Sequence, residues 1–157
     1  MIPELSVSFR CGREEIQRLY DRAGEGCRRN LQSFCGRPVL VEGGGYEKIW
    51  LETQPMGGDM AALHHPEAAL NNTLLFLENQ REDGRLPGSV KTEDGRIIPE
   101  YNKLQGFCLP FHAMNLYYLF DRDASYLNLL KDSLIRFDDW LHRTRELKGD
   151  GLLYSFC

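Results

Sequence analysis

Apolar residues recur at spacings of three and four through the first half of the chain, which is the periodicity of amphipathic helices. The pattern predicts a first helix from Arg13 to about Phe34, ended by the Gly and Pro of the segment 35–38. A short helical piece is predicted at 56–63. A stronger helix is predicted from Pro66 to Gln80, in which Leu70, Leu74 and Leu77 share one face.

The second half continues the helical pattern after an interruption. Residues 81–100 contain repeated Gly and Pro and are predicted to form a loop or a small hairpin. The segment Phe107–Phe120 is apolar nearly all round and is predicted to be a buried helix. Asp123 can cap the next helix, whose apolar stripe is Leu127, Leu130, Leu134, Phe137 and Leu141. The pattern as a whole predicts an all-α fold of antiparallel helical hairpins with few strands.

Composition and charge exclude several classes of protein. The 157 residues carry 19 Lys and Arg against 23 Asp and Glu, a net charge of −4, so bulk charge does not favour nucleic acid as a partner. No apolar run approaches the roughly 20 residues of a membrane helix, and no signal peptide is visible at the N-terminus. The five cysteines are odd in number and lack CxxC spacing, so we expect reduced thiols and a cytoplasmic protein without a membrane partner.

The sequence does not favour a metal or an organic cofactor. His64 and His65 are adjacent and would point apart on a helix. Cys108 and His112 are four residues apart and share a helix face, but two ligands do not make a zinc site. No dinucleotide, P-loop, zinc-protease or nucleophile-elbow motif occurs.

The segment from Tyr46 to Met60 has the residue types of a carbohydrate site. Tyr46 and Trp50 offer aromatic faces on which sugar rings stack, and Glu52, Thr53 and Gln54 offer groups that bind hydroxyls. The competing interpretation is an ordinary loop whose Trp50 fills the core.

Four motifs follow one another along the chain: Tyr46-x-x-x-Trp50, the segment Phe76–Pro87 (FLENQREDGRLP), Gln105-Gly106, and Trp140-Leu141 followed by Lys148-Gly-Asp-Gly-Leu152. In this order they resemble the six-hairpin glycosidases, whose domain is an (α/α)6 toroid. Within that group the motifs most resemble those of the mannosylglycerate and glucosylglycerate hydrolases, with trehalases and processing α-glucosidases further off.

The resemblance implies an inverting glycoside hydrolase that acts on α-glucosides or α-mannosides without a cofactor. It implies that residues 1–157 are the N-terminal portion of one toroid domain, and that the catalytic acid and base lie beyond Cys157. This chain alone is then expected to be inactive and to supply sugar-binding residues, namely Tyr46, Trp50, Glu52, Thr53, Gln54 and Gln105. One position departs from the family pattern: Thr53 stands where relatives often carry Asp, and Glu52 is the candidate substitute.

Two alternatives stay open at this point. A sugar isomerase or epimerase of similar ring-like fold would use catalytic histidines, but the four histidines lie outside the matched motifs. A helical interaction module would present the Leu127–Leu141 stripe as an apolar groove. Asp59 is interpreted as a helix-start charge and Asp138-Asp139 as part of a solvated face.

Overall fold

The computed structural model describes residues 7–104 and 108–153, and these residues form five helices and five short strands. The helices are α1 (Glu14–Arg29), α2 (Gln54–Ala61), α3 (Pro66–Glu78), α4 (Leu109–Leu119) and α5 (Ala124–Arg145). The strands are β1 (Leu31–Phe34), β2 (Arg37–Leu40), β3 (Ile49–Trp50), β4 (Ser89–Glu93) and β5 (Arg96–Glu100). No helix in this described part is both long and apolar enough to cross a membrane.

The all-α prediction is wrong, because two antiparallel sheets accompany the helices. One sheet is the hairpin β1–β2, and the other has the order β3–β4–β5. Residues 31–34, predicted as the end of the first helix, turn back instead through Cys35 (φ 53°) and Gly36 (φ 86°). Two left-handed residues in a two-residue loop are typical of a type I′ hairpin turn. Asp94 (φ 50°) and Gly95 (φ 70°) make the same turn between β4 and β5, where a small hairpin was one of the two predictions.

Three of the predicted helices are confirmed with small shifts of their ends, namely α3, α4 and α5. Asp123 caps α5 as expected, since its carboxylate accepts from the backbone N–H groups of Ser125 at 2.7 Å and Tyr126 at 3.0 Å. The prediction that the 107–120 helix is buried on most faces is wrong, because Phe111 and Tyr118 are 69% and 61% exposed.

Helix α3 lies at the centre of the structure and packs against α2, β2, α4, α5 and β4. Both sheets, α4 and α5 contribute to the core around it, and the largest fully buried side chains include Phe34, Phe76, Phe137, Ile49 and Leu75. The apolar spacing of α3 predicted one buried face, yet Asn71, Asn72 and Thr73 are buried as well. A helix with neighbours on most sides buries polar residues too, and these need partners.

Asn72 meets that need by binding the outer edge of β2. Its side-chain oxygen accepts from Leu40 N at 2.9 Å, and its Nδ2 donates to Leu40 O at 2.7 Å. The same Nδ2 also lies 3.3 Å from Gln54 O, at the start of α2. The amide of Asn72 therefore pairs with the free edge of β2 as a neighbouring strand would. It joins the β1–β2 hairpin to α3 and α2.

The loop between α3 and β4 is a docking point for α5. Gln80 Nε2 donates to Gly84 O at 2.7 Å and to Ser133 O of α5 at 2.9 Å. Gly84 has φ 98°, and a Cβ built there would lie 2.2 Å from the Arg136 carbonyl oxygen. Glycine is thus required at this position both by its backbone conformation and by the approach of α5.

We predict that Asn72→Leu lowers the free energy of unfolding by about 2–4 kcal/mol, because the part-buried N–H and C=O of Leu40 lose their partner. Urea unfolding measures the loss. Asn79→Ala is the matched control: among the described residues, Asn79 Nδ2 binds only Leu75 O of the adjoining helix, at 2.8 Å, and the loss of stability should stay at about 1 kcal/mol. Equal losses in the two variants would contradict the bridging role of Asn72.

We predict that Gly84→Ala costs more stability than Gly95→Ala. Both residues have positive φ, which costs an L-residue about 1–2 kcal/mol, but a Cβ at Gly95 meets nothing within 4 Å. The excess loss at Gly84, measured by thermal unfolding of both variants, reports the contact with α5. Similar losses would show that only the turn conformation matters.

Candidate functional site

The segment from Tyr46 to Gln54 connects the two sheets to α2 and holds most of the predicted site residues. Tyr46 is 58% exposed, and its N–H donates to Gly43 O at 3.1 Å in a tight turn. Among the described residues, the ring of Tyr46 makes no aromatic contact with that of Trp50. Glu52 is exposed, and Gln105 lies outside the described residues.

Gln54 is buried, and its side-chain oxygen is used inside the protein. It accepts from Trp50 N at 2.7 Å and from the Thr53 hydroxyl at 2.7 Å. These bonds close the turn between β3 and α2 and fix the backbone of Trp50. We therefore assign Gln54 to positioning Trp50, and Thr53 to the same turn.

Trp50 lies on the sheet face opposite the core. Its neighbours Ile49 and Leu51 are fully buried, whereas the indole is half-buried. Trp50 pairs with Ser89, and Ser89 with Glu100, so the three side chains form a row across β3, β4 and β5. Residues directly opposite each other in antiparallel strands share one face of the sheet. The interpretation of Trp50 as a residue that fills the core is thereby disfavoured.

Charged groups surround the indole. Lys48 Nζ lies 5.5 Å and Lys103 Nζ 5.7 Å from the centre of the Trp50 ring. Both distances are in the range of cation–π attraction. Lys48 also forms an ion pair with Glu100, which accepts from the Ser89 hydroxyl at 2.7 Å. We call these five residues, Lys48, Trp50, Ser89, Glu100 and Lys103, the Trp50 surface.

Two polar groups of the Trp50 surface have no hydrogen-bond or ion-pair partner within the described part of the chain. The indole N–H of Trp50 is buried and has no hydrogen-bond partner. Lys103, unlike Lys48, has no carboxylate within ion-pair distance there. Buried donors without a partner are rare in proteins and call for an explanation.

The charge state of Glu100 is set by its neighbours. Burial acts to raise the pKa of Glu100, but the hydrogen bonds from Lys48 and Ser89 and the charges of Lys48 and Lys91 outweigh it and hold that pKa below its ordinary value. Glu100 is therefore ionised at neutral pH and keeps Lys48 in place beside the indole.

A second polar cluster joins α2 to α4 and was not foreseen from the sequence. His112 Nδ1 lies 2.8 Å from Asp59 Oδ2, and Asn115 Nδ2 donates to the same oxygen at 2.8 Å. The side chains of His112 and Asp59 are 15% and 14% exposed. Asp59 lies in the second turn of α2, so its interpretation as a helix-start charge is wrong. His112 and Asp59 are 53 residues apart in the chain, so no local sequence pattern predicts their contact.

The predicted partner of His112 on its helix face, Cys108, is engaged elsewhere. The Cys108 thiol donates to Glu52 O at 3.2 Å, and burial raises its pKa. The thiol is therefore protonated at neutral pH and is a poor ligand or nucleophile. No group of three or more potential metal ligands occurs among the described residues. The four described cysteines are free thiols.

An open cleft of about 1110 Å³ lies between α1 and α2, and no residue of the Trp50 surface lines it. Thr53 and Gln54 lie at its border, so the predicted site residues are divided between two surfaces. In the cleft, the Tyr20 hydroxyl lies 3.1 Å from His64 Nε2. Burial, together with the charges of His64 and Arg28, lowers the pKa of His65.

Comparison with known proteins gives no relative for this chain. No protein-family model, curated protein or solved structure matches it significantly. Function is therefore inferred from the geometry of the site and from the resemblance in sequence.

We predict that Glu100→Gln lowers stability at neutral pH and that the difference from the wild type disappears in acid. A carboxylate whose folded-state pKa is lowered stabilises the fold above its unfolded-state pKa, and that contribution is lost as the pH falls through the folded-state pKa. The gap should hold down to about pH 5 and close below it. Urea unfolding at several pH values measures it, with the exposed Glu93→Gln as control. A gap that widens in acid would contradict this assignment.

Proposed function

We propose that this chain supplies the sugar-binding surface of a carbohydrate-active hydrolase, of the inverting glycoside hydrolase type, that acts on α-glucosides or α-mannosides. The observation that carries the proposal is the Trp50 surface, in which a half-buried indole lies on the solvent side of a sheet among hydroxyl, carboxylate and ammonium groups. The order of sequence motifs supports the same class. The free thiols of the described cysteines suit a cytoplasmic location, which is part of the proposal.

The Trp50 surface provides two kinds of contact that a sugar needs. A pyranose ring has an apolar face of C–H groups, which packs on an indole, and a rim of hydroxyls, which needs donors and acceptors. Glu100 and the exposed Glu52 offer acceptors. The exposed Lys103 offers a donor. A hydroxyl of a bound sugar would give its ammonium group a partner.

The surface is built before a ligand arrives. Gln54 fixes the backbone of Trp50, and the Lys48–Glu100 pair borders its ring, so little side-chain freedom is lost on binding. Tyr46 is a candidate second platform at the edge of the same segment.

The test is sugar binding by the full chain, measured by NMR titration with methyl α-glucoside and methyl α-mannoside. We expect Trp50→Ala to weaken binding by about 1–3 kcal/mol, or roughly 5- to 150-fold, by analogy with other aromatic platforms. The fold should be retained, because the residues beside Trp50, rather than the indole itself, face the core.

Tyr118→Ala is the matched control. Tyr118 is also an exposed aromatic residue with a cation near its ring, since the Arg122 guanidinium lies 5.5 Å from its centre, but it is on α4 outside the Trp50 surface. Its replacement should leave sugar binding unchanged. If Trp50→Ala unfolds the chain, or binds sugar as the wild type does, the platform assignment is wrong.

A further inference from the structure

The His112–Asp59 pair has a geometry that a purely structural link between α2 and α4 does not require. Asp59 accepts from both His112 and Asn115 through a single oxygen, so the carboxylate is fixed from two sides. The imidazole is thereby held by its Nδ1 atom. The other ring nitrogen, Nε2, has no hydrogen-bond partner among the described residues, and the His112 side chain is 15% exposed.

The carboxylate also selects the form of the neutral imidazole. Nδ1 faces an acceptor and carries the proton, so Nε2 carries the lone pair. His112 therefore presents an oriented hydrogen-bond acceptor that no described protein group uses. A carboxylate behind a histidine fixes the tautomer and the ring orientation in many functional sites.

Each member of the pair has an exposed apolar side chain beside it on its own helix. Met56, 41% exposed, precedes Asp59 by three residues on α2, and Phe111, 69% exposed, is adjacent to His112 on α4. The ring of Phe111 meets that of His112 edge-on, with centres 5.1 Å apart. A few convergent polar groups among apolar and aromatic side chains are typical of small-molecule sites.

The pair is also connected to the segment that carries Trp50. Cys108, at the start of α4, binds the carbonyl of Glu52, two residues after Trp50. His112 follows Cys108 by one helical turn, or about 6 Å along the axis. The start of α2 is fixed to Trp50 by Gln54, and Asp59 lies further along that helix.

We propose that His112 is a binding residue of the carbohydrate site, in which Nε2 accepts a hydrogen bond from a sugar hydroxyl and Asp59 is the positioning residue. The proposal rests on the proposed function for the class of ligand. It adds a contact on α4, outside the segment that the sequence indicates.

The experiment is long-range ¹H–¹⁵N NMR of the histidine rings in the full chain, with methyl α-glucoside and methyl α-mannoside as probes. His112→Gln assigns the His112 signals. We expect the Nδ1–H form for His112, and a shift of its Nε2 signal on sugar addition that exceeds the shift of Nδ1. His142, which is bound to Glu146 on α5, is the internal control and should not move. The indole N–H signal of Trp50 is followed in the same titration.

Binding by variants completes the test. His112→Gln should weaken sugar binding about tenfold, the cost of one lost hydrogen bond. Asp59→Asn should weaken sugar binding and also shift His112 toward the other tautomer. Asn115→Ala should have a smaller effect on both sugar binding and the tautomer. If a variant fails to fold, the titration of the wild-type chain still shows whether His112 Nε2 contacts the sugar.

The outcomes separate the two proposals. If the indole of Trp50 responds to sugar while His112 Nε2 does not, and His112→Gln binds normally, the present inference is wrong and the proposed function stands. If His112 responds and the indole does not, the His112 contact is supported and the Trp50 platform is wrong. If neither responds to either sugar, both proposals are overturned.

Discussion

The structure depends on one buried side-chain amide, that of Asn72 at the middle of α3. This residue is fully buried, so its amide must be satisfied within the protein. It binds both backbone groups of Leu40, and it reaches the carbonyl of Gln54. A helix cannot extend a sheet with its own backbone, because that backbone is already hydrogen-bonded. The amide of Asn72 supplies the missing donor and acceptor, and in this way an edge strand is buried against a helix without loss of hydrogen bonds.

The hydrogen bonds of Asn72 also help to position the candidate site. Asn72 fixes the backbone of Gln54, and the side chain of Gln54 fixes the backbone of Trp50. The position of the indole is therefore set by a chain of two amides that begins in the core, although the ring itself lies on the surface. Gln54 is predicted from the sequence to bind a ligand, and in the structure its side-chain oxygen has two partners within the protein. Residue type alone does not distinguish an amide that fixes the backbone of a site residue from one that contacts a ligand.

The sequence predicted those parts of the fold whose signal is long and local. Helix α5 has an apolar stripe over several turns and an Asp cap, and both are present in the structure. The β1–β2 hairpin was missed because its strands have four residues each, too few for an alternating pattern to stand out, and because the Gly of its turn also ends helices. The Asp94-Gly95 turn is chemically the stronger hairpin signal, and there a hairpin was anticipated. The His112–Asp59 contact depends on the packing of α2 on α4, which no short-range pattern encodes.

The residues of the motif Phe76–Pro87, which contributes to the resemblance in sequence, have structural roles. Every distinctive residue in it has a structural reason: Gln80 ties the loop to α5, Gly84 admits the Arg136 carbonyl, and Leu86 is buried in the core. The motif therefore describes how the loop after α3 joins α5 and the core, and none of the predicted sugar-binding residues lies in it. Binding of a ligand depends instead on groups that the fold does not use. In the described part of the chain such groups include the ammonium of Lys103 and Nε2 of His112, for which the described residues supply no hydrogen-bonding or ionic partner. Both suit the hydroxyl groups of a sugar, and this shared chemistry supports the proposed function.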